Sequence, residues 1–509
     1  MFYNLNKKAV ITIQTPVGDT NPIEVHEITK QGTIYGPILC DINTDKVNTI
    51  GSRNVTTIGP NIHCMSLIYV DDIEHCGSHL ESIERAASNC SSMEQLRKYI
   101  FNNDVEKTAF MIINPKKGSK DIQELKSQVK RGRIKRTMKY KYVGNWYNEK
   151  YNHETDIKAK ASKVPGIIVQ MKYYGDTYKV GNMALQVRLE IFESTVIPTI
   201  YHNVETWSKI TGKEIEQLEK MQKDILTDIF ELPKSTPYLG LLSEVGIWPF
   251  EELMEFKRIM LFQQIITSNG NRLLKEVIED QIRSVYPGCW TEQTLEICKK
   301  YNLGIQLIKS MKKHKLKKLL KERIRRRLET KLEVEKRAKT KIRFCGGFKR
   351  KKYIMKGNMS KSIVKGIMKT RLNMLELNCN YKGEKISETC DLCKREKDTT
   401  EHLFECREIR RCLDDVPDKD VLKNDSEEAY FELGKFIKNV CAIRGIDLTK
   451  TVKENLDNHK KKLDERKTHM ITSFDATDLK MTVKRFETKS YHVSSFSETD
   501  LKMVISCQG

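Results

Sequence analysis

Leu67-Ile68-Tyr69-Val70-Asp71-Asp72-Ile73 places apolar and β-branched residues on both sides of two adjacent carboxylates. Such a run reads as a β-hairpin with an acidic tip. A tip frees both side chains from the ladder, and hard divalent cations take oxygen ligands. Asp71 and Asp72 therefore suit a Mg²⁺ (or Mn²⁺) site, with a plain acidic turn as the bland alternative.

Upstream, Ala9–Ile28 reads as another hairpin, turning at Pro16-Val17-Gly18-Asp19. Lys30-Gln31-Gly32-Thr33-Ile34-Tyr35-Gly36-Pro37 then opens a helical stretch, Ile38–Asn48. Downstream, Met93–Phe101 reads as a helix, Ala109–Ile113 as a strand and Tyr140–Trp146 as a strand and turn. From about Glu149 the apolar period changes from two to 3.6. Met183–Ile200, Glu214–Phe230 and Phe250–Ile266 are expected helices, with Pro233 and Pro237 in the last intervening loop. Leu316, Leu320, Ile324, Leu328 and Leu332 recur every four residues, which gives a helix with one apolar stripe. Lys361–Glu376 and Tyr430–Arg444 are the remaining helices. The fold class is α+β.

Beyond Asp457 the chain turns polar. Ser473–Met481 recurs as Ser495–Met503, and two copies do not make a solenoid. This tail is expected to be poorly ordered.

The chain of 509 residues carries a net charge of +22. Such an excess points to a polyanionic partner, RNA or DNA before an anionic membrane. From Lys309 to Lys352 there are 21 Lys/Arg and four Glu, so most of the excess lies in one segment. There the stripe docks the helix and leaves Lys317, Lys321, Arg323, Arg325, Arg326 and Arg327 outside, a surface suited to phosphates. A solvated charged face is the alternative. No run of about 18 apolar residues suggests a membrane span. Met1–Lys8 lacks the apolar core of a signal peptide. An intracellular, nuclear and cytoplasmic location is expected.

The 14 cysteines are mostly scattered, which suits a reducing compartment. There a Cys/His cluster means metal more often than disulfide. Cys390-x2-Cys393-x8-His402-x3-Cys406 has zinc-knuckle spacing. One turn can present the cysteine pair, and His402 and Cys406 share a helical face at i, i+4. Cys412 is a possible substitute ligand.

Several motifs together resemble the reverse transcriptases of non-LTR (LINE-like) retrotransposons. Gln31-Gly32 with Gly36-Pro37 resembles the template- and nucleotide-positioning block, and Tyr69-Val70-Asp71-Asp72 the catalytic pair. Lys107-Thr108 resembles the block after the pair, and Tyr142-Val143-Gly144 the primer-grip turn. Tyr201, Glu205-Thr206-Trp207, Leu218-Glu219, Gln222, Pro233, Thr236-Pro237 and Glu244 with Gly246 resemble that group's thumb. The resemblance implies RNA-directed DNA polymerisation by two-metal phosphoryl transfer. Asp71 would ligate metal and Asp72 would help to bind it. Lys107 would protonate the leaving pyrophosphate. Gln31 and Gly32 would line nucleotide and template. Tyr69, Tyr142 and Gly144 would lie near the primer. The partners would be the RNA of the transposable element and chromosomal target DNA.

The family's first Asp-bearing strand belongs upstream of Gln31-Gly32, where this sequence reads as a hairpin with Asp19 in its turn. The expectation is a truncated enzyme: a partial palm (1–148), a helical thumb (149–270) and a basic helical linker (271–380). A CCHC zinc knuckle (381–415), a helical segment (416–456) and the tail (457–509) follow. Polymerisation is expected to be defective. The alternatives are a non-catalytic nucleic-acid-binding remnant and a domesticated zinc-knuckle protein.

Overall fold

The computed structural model describes residues 9–25, 56–97, 107–177, 183–450 and 454–457. Within these spans it leaves out 13, 16–17, 60–61, 65, 70–71, 78, 117–121, 126–133, 209, 269, 271, 285–286, 339, 356–358, 381–386 and 456. Gln31, Gly32, Asp71, the Ile38–Asn48 stretch and the repeat-bearing tail lie outside the described residues. The described chain is α+β and mostly helical, and its sheets are antiparallel strand pairs. None of its helices is long and apolar enough to cross a membrane.

Two compact units form, each from separate stretches: Met1–Ile167, Ile191–Gln222 and Pro249–Arg326 in one, and Ile168–Glu190, Lys223–Trp248 and Arg327–Gly509 in the other. The expected thumb, 149–270, therefore contributes to both, and the expected linker divides at Arg326/Arg327.

In the first unit, Ala9–Ile11 pairs with Ile23–Val25 and Gln14–Thr15 with Gly18–Asp19. Asp19 is thus a ladder residue opposite Gln14, not part of the turn. Ser66–Tyr69 pairs with Asp72–His75, with Tyr69 opposite Asp72. The following helix is Leu80–Arg97, starting well before the expected Met93. Its core-facing side includes Ala86 and Ala87, so small residues carried a stripe that hydropathy hardly registers. The strand expected over Ala109–Ile113 is a single parallel bridge from buried Phe110 to Arg136. Lys139–Tyr142 and Asn145–Asn148 form the next hairpin, with Val143 at φ 44° and Gly144 at φ 82°. Two positive φ values make this a tight primed turn, and they leave the β-branched Val143 strained.

The helical part of this unit closes on Trp207. His153 stacks on its ring at 4.2 Å. Buried Arg258 donates to the carbonyls of Trp207 (2.8 Å) and Trp290 (2.9 Å), and Trp290 Nε1 donates to the carbonyl of Glu205 at 2.8 Å. Tyr201, Trp207, Leu218 and Gln222, singled out above as motif residues, are all buried. Their structural role is to build the core.

The second unit is organised by a buried ion pair. Glu244 closes the helix Tyr238–Val245, and Arg371 ends the helix Lys361–Arg371. Arg371 Nε and Nη2 donate to the two Glu244 carboxylate oxygens at 3.0 and 3.1 Å, and both side chains have no exposure. Tyr353 donates its hydroxyl to Glu244 at 2.7 Å, while Arg371 also reaches the Leu422 carbonyl and Asp425. Burial and the Glu244 charge push the Tyr353 hydroxyl well above the usual tyrosine range, so it stays a donor. Gly246 caps the first helix at φ 72°, and a Cβ there would stand 2.2 Å from the Arg350 nitrogen. Only glycine fits.

Arg371→Met leaves Glu244 charged and buried. Such losses cost about 3–5 kcal/mol, to be read from urea denaturation of the full chain. Glu244→Gln together with Arg371→Met is expected to restore part of that loss. A single-variant cost below about 1 kcal/mol, the size of an exposed pair, would mean that the pair does not hold this unit.

Candidate metal centre

Cys390, Cys393, His402 and Cys406 converge in the second unit, with all ligand atoms within 4.8 Å of one another. A bridge between Thr389 and Lys397 closes the loop that carries the first two. Within it Cys390 N donates to the Glu396 carbonyl (2.7 Å) and Lys394 N to the Cys390 carbonyl (2.9 Å), and Lys394 is left-handed at φ 54°. The other two ligands come from the short helix His402–Glu405 and its C-cap, Cys406. Cys406 N donates to the His402 carbonyl at 2.7 Å, which puts both side chains on one turn. The expected i, i+4 arrangement is present, and Cys412 is not in the cluster.

The donor set fits a soft or borderline metal such as zinc. Cys390 and Cys406 sulfurs are 4.0 Å apart, and Cys393 Sγ is 3.3 Å from His402 Nε2. With Zn–S of about 2.3 Å, tetrahedral S···S edges come to about 3.8 Å. His402 Nδ1 lies 2.9 Å from the Glu396 carboxylate, which fixes the ring and leaves Nε2 for the metal. Cys390 and Cys406 are fully buried, and His402 nearly so. A hydrogen bond from Cys406, the amides of Cys393 and Leu392 and the Arg444 charge hold the Cys390 thiol down against its burial. Sharing that proton and burial push Cys406 up. Glu396, Asp398 and Arg444 around the centre were not read from the sequence. Arg444 is 54 residues from Cys390, so no local spacing could have shown it.

Elsewhere, the basic helix spans Lys313–Ala338. Leu316, Leu320, Ile324, Leu328 and Leu332 are each at most 1% exposed. Lys317, Lys321, Arg325, Arg326 and Arg327 are exposed. Arg325 and Arg326 pair with Glu322 on the same helix. Arg323 points inward and donates to the Tyr301 and Asn302 carbonyls at 2.6 and 2.8 Å.

Three motif regions of the first unit meet. Tyr142 Oη approaches the Leu67 carbonyl, beside Tyr69, at 3.5 Å, and Tyr140 Oη donates to the Lys107 carbonyl at 2.5 Å. His202 and Asn203 reach the Val143 carbonyl at 3.3 and 3.4 Å. Gly144 lies against the same ring, where a Cβ would meet His202 Nε2 at 2.9 Å. Lys107 is exposed. Among the described residues no other group of three or more His, Cys, Asp or Glu ligands converges, and Asp71 lies outside them.

No protein-family model matches the sequence, and no curated protein matches it.

Native mass spectrometry of the full chain is expected to show one Zn²⁺, lost in Cys393→Ser. Glu396→Gln should weaken zinc binding about 10–100-fold, the usual effect of removing a ligand's hydrogen-bond partner. The thiols and imidazole bind only when deprotonated, so affinity falls as pH falls. Full zinc content in Cys393→Ser would refute the ligand assignment.

Proposed function

We propose that the chain is a nucleic-acid-binding protein with a zinc-knuckle centre, related to the reverse transcriptases of non-LTR retrotransposons. The observation that carries the binding is the 26-residue basic helix, whose apolar stripe is buried and whose cations face solvent. Such a surface tracks phosphates and reads no base edges, so RNA and DNA both qualify as partners. Each phosphate neutralised releases condensed counterions and ties affinity to salt.

The relation to reverse transcriptases rests on the order of the motifs. The contacts of Tyr142 with Leu67 and of Tyr140 with Lys107 support it, since they join regions distant in sequence. RNA-directed DNA polymerisation is the activity that this relation carries. Two-metal transfer needs carboxylates that hold ions about 3.5–4 Å apart. Among the described residues the Tyr69–Asp72 hairpin pairs with no third strand that could supply the opposite side. The exposed cations of the basic helix support binding, so the chain is read as a binder before a polymerase.

Affinity for single-stranded RNA and duplex DNA is expected to fall at least about tenfold between about 50 and 200 mM salt. Charge reversal at Lys317, Lys321 and Arg327 should flatten that slope, and an unchanged slope would remove the helix from the interface. Primer extension on poly(rA)–oligo(dT) with Mg²⁺ or Mn²⁺ is expected to give no product. Extension lost in Asp71→Ala would overturn the defective reading.

A further inference from the structure

The Cys3His centre draws on a cation from the far end of its unit. Arg444 is the last residue of the helix Glu427–Arg444, and its side chain is 5% exposed. Its Nη1 donates to Cys390 Sγ at 3.7 Å, and its Nη2 donates to Asp398 Oδ2 at 2.5 Å. Asp398 has no exposure and accepts a second hydrogen bond from the Asn378 amide at 2.7 Å. Asn378 Nδ2 in turn donates to the carbonyl of Thr389, the residue before Cys390, at 2.7 Å. A closed chain of contacts thus runs from the metal ligand through the guanidinium and carboxylate and back to the ligand's own strand.

We propose that Arg444 is a positioning residue for the metal centre: its guanidinium, oriented by Asp398, holds the Cys390 sulfur and sets how tightly the cluster binds its metal. The inference rests on the zinc reading of the four ligands. Three thiolates, a neutral imidazole and a divalent ion carry a net charge of about −1, by the ligand states that zinc requires. Two of the sulfurs are fully buried. Buried charge is costly unless paired and hydrogen-bonded. Asp398 balances Arg444 through Nη2, and Nη1 directs an N–H at the Cys390 sulfur. A planar fork serves carboxylate and sulfur together, which a lysine ammonium on a flexible stem does not reproduce. The hydrogen bond also lowers the energy of the sulfur lone pair that the metal shares.

Co²⁺ added to the metal-free full chain is the probe, because a cobalt thiolate site reports on its sulfurs through charge-transfer absorption. Wild type is expected to show a sulfur-to-cobalt band in the near ultraviolet. Two variants are compared with it. Arg444→Lys keeps the charge, and Arg444→Met with Asp398→Asn removes both charges and leaves no unpaired buried carboxylate. In both the band should move to lower energy, further in the double variant. Zn²⁺ competition should show binding about 10–100-fold weaker. Far-ultraviolet circular dichroism checks that each variant is folded, and if the double variant is not, Arg444→Lys decides. A wild-type band position and wild-type zinc affinity in the folded variants would overturn the role of Arg444 and leave the ligand assignment standing. Absence of the band in wild type would overturn the metal centre and this inference with it.

Discussion

Glu244 and Arg371 face each other without access to water, and this constrains the whole of the second unit. An isolated charge of either sign there would be prohibitively expensive, so each stretch that supplies a partner must be in place at once. The partners come from the helix Tyr238–Val245, from Tyr353, from the end of the helix Lys361–Arg371 and from Leu422 and Asp425. Lys351 and Tyr430 then fix Asp425 at 2.7 and 2.6 Å. Apolar packing alone would tolerate sliding between these helices. A bidentate guanidinium–carboxylate pair sets register and angle.

The same architecture reaches the metal centre along one helix. Glu427–Arg444 begins beside this network, where the Tyr430 ring lies under the Arg371 guanidinium. Midway it packs Phe436 against Phe404 at 4.5 Å between ring centres. It ends with Arg444 against Cys390 and Asp398. The Cys/His loop is therefore built into the helical unit. Zinc binding to unfolded ligands is coupled to folding in small isolated knuckles. Here much of the loop's order is supplied by Phe404, Asp398 and the helix end, so a bound metal would meet a partly organised site.

What the sequence disclosed was what repeats over short distances. The four-residue leucine spacing of the basic helix, the cysteine and histidine spacing and the Tyr69–Asp72 hairpin each put their signal within a few turns of chain. The first part of the helix Leu80–Arg97, before Met93, escaped because Ala86 and Ala87 bury little area and register weakly in any hydropathy pattern. Phe110 looked like a strand residue because its neighbours are apolar, yet it makes only one bridge. The Glu244–Arg371 pair spans 127 residues, and nothing local in either helix marks its partner. The proposed relation to a polymerase hinges on such long-range placement, which is why motif order reads more easily than the site those motifs would form.

The charge count of the basic helix also needs correcting by magnitude. Arg325 and Arg326 are tied to Glu322, but these exposed pairs are screened by solvent and hold weakly. A phosphate offers a full charge and sharper hydrogen-bond geometry, so these two arginines exchange partners readily. Arg323 differs in kind. Its two carbonyl acceptors close the turn after the helix Trp290–Lys300, so this guanidinium is committed to the fold. On the proposed reading the interface would run along Lys317, Lys318, Lys321 and the Arg325–Arg327 run, with Arg323 holding the helix that presents it.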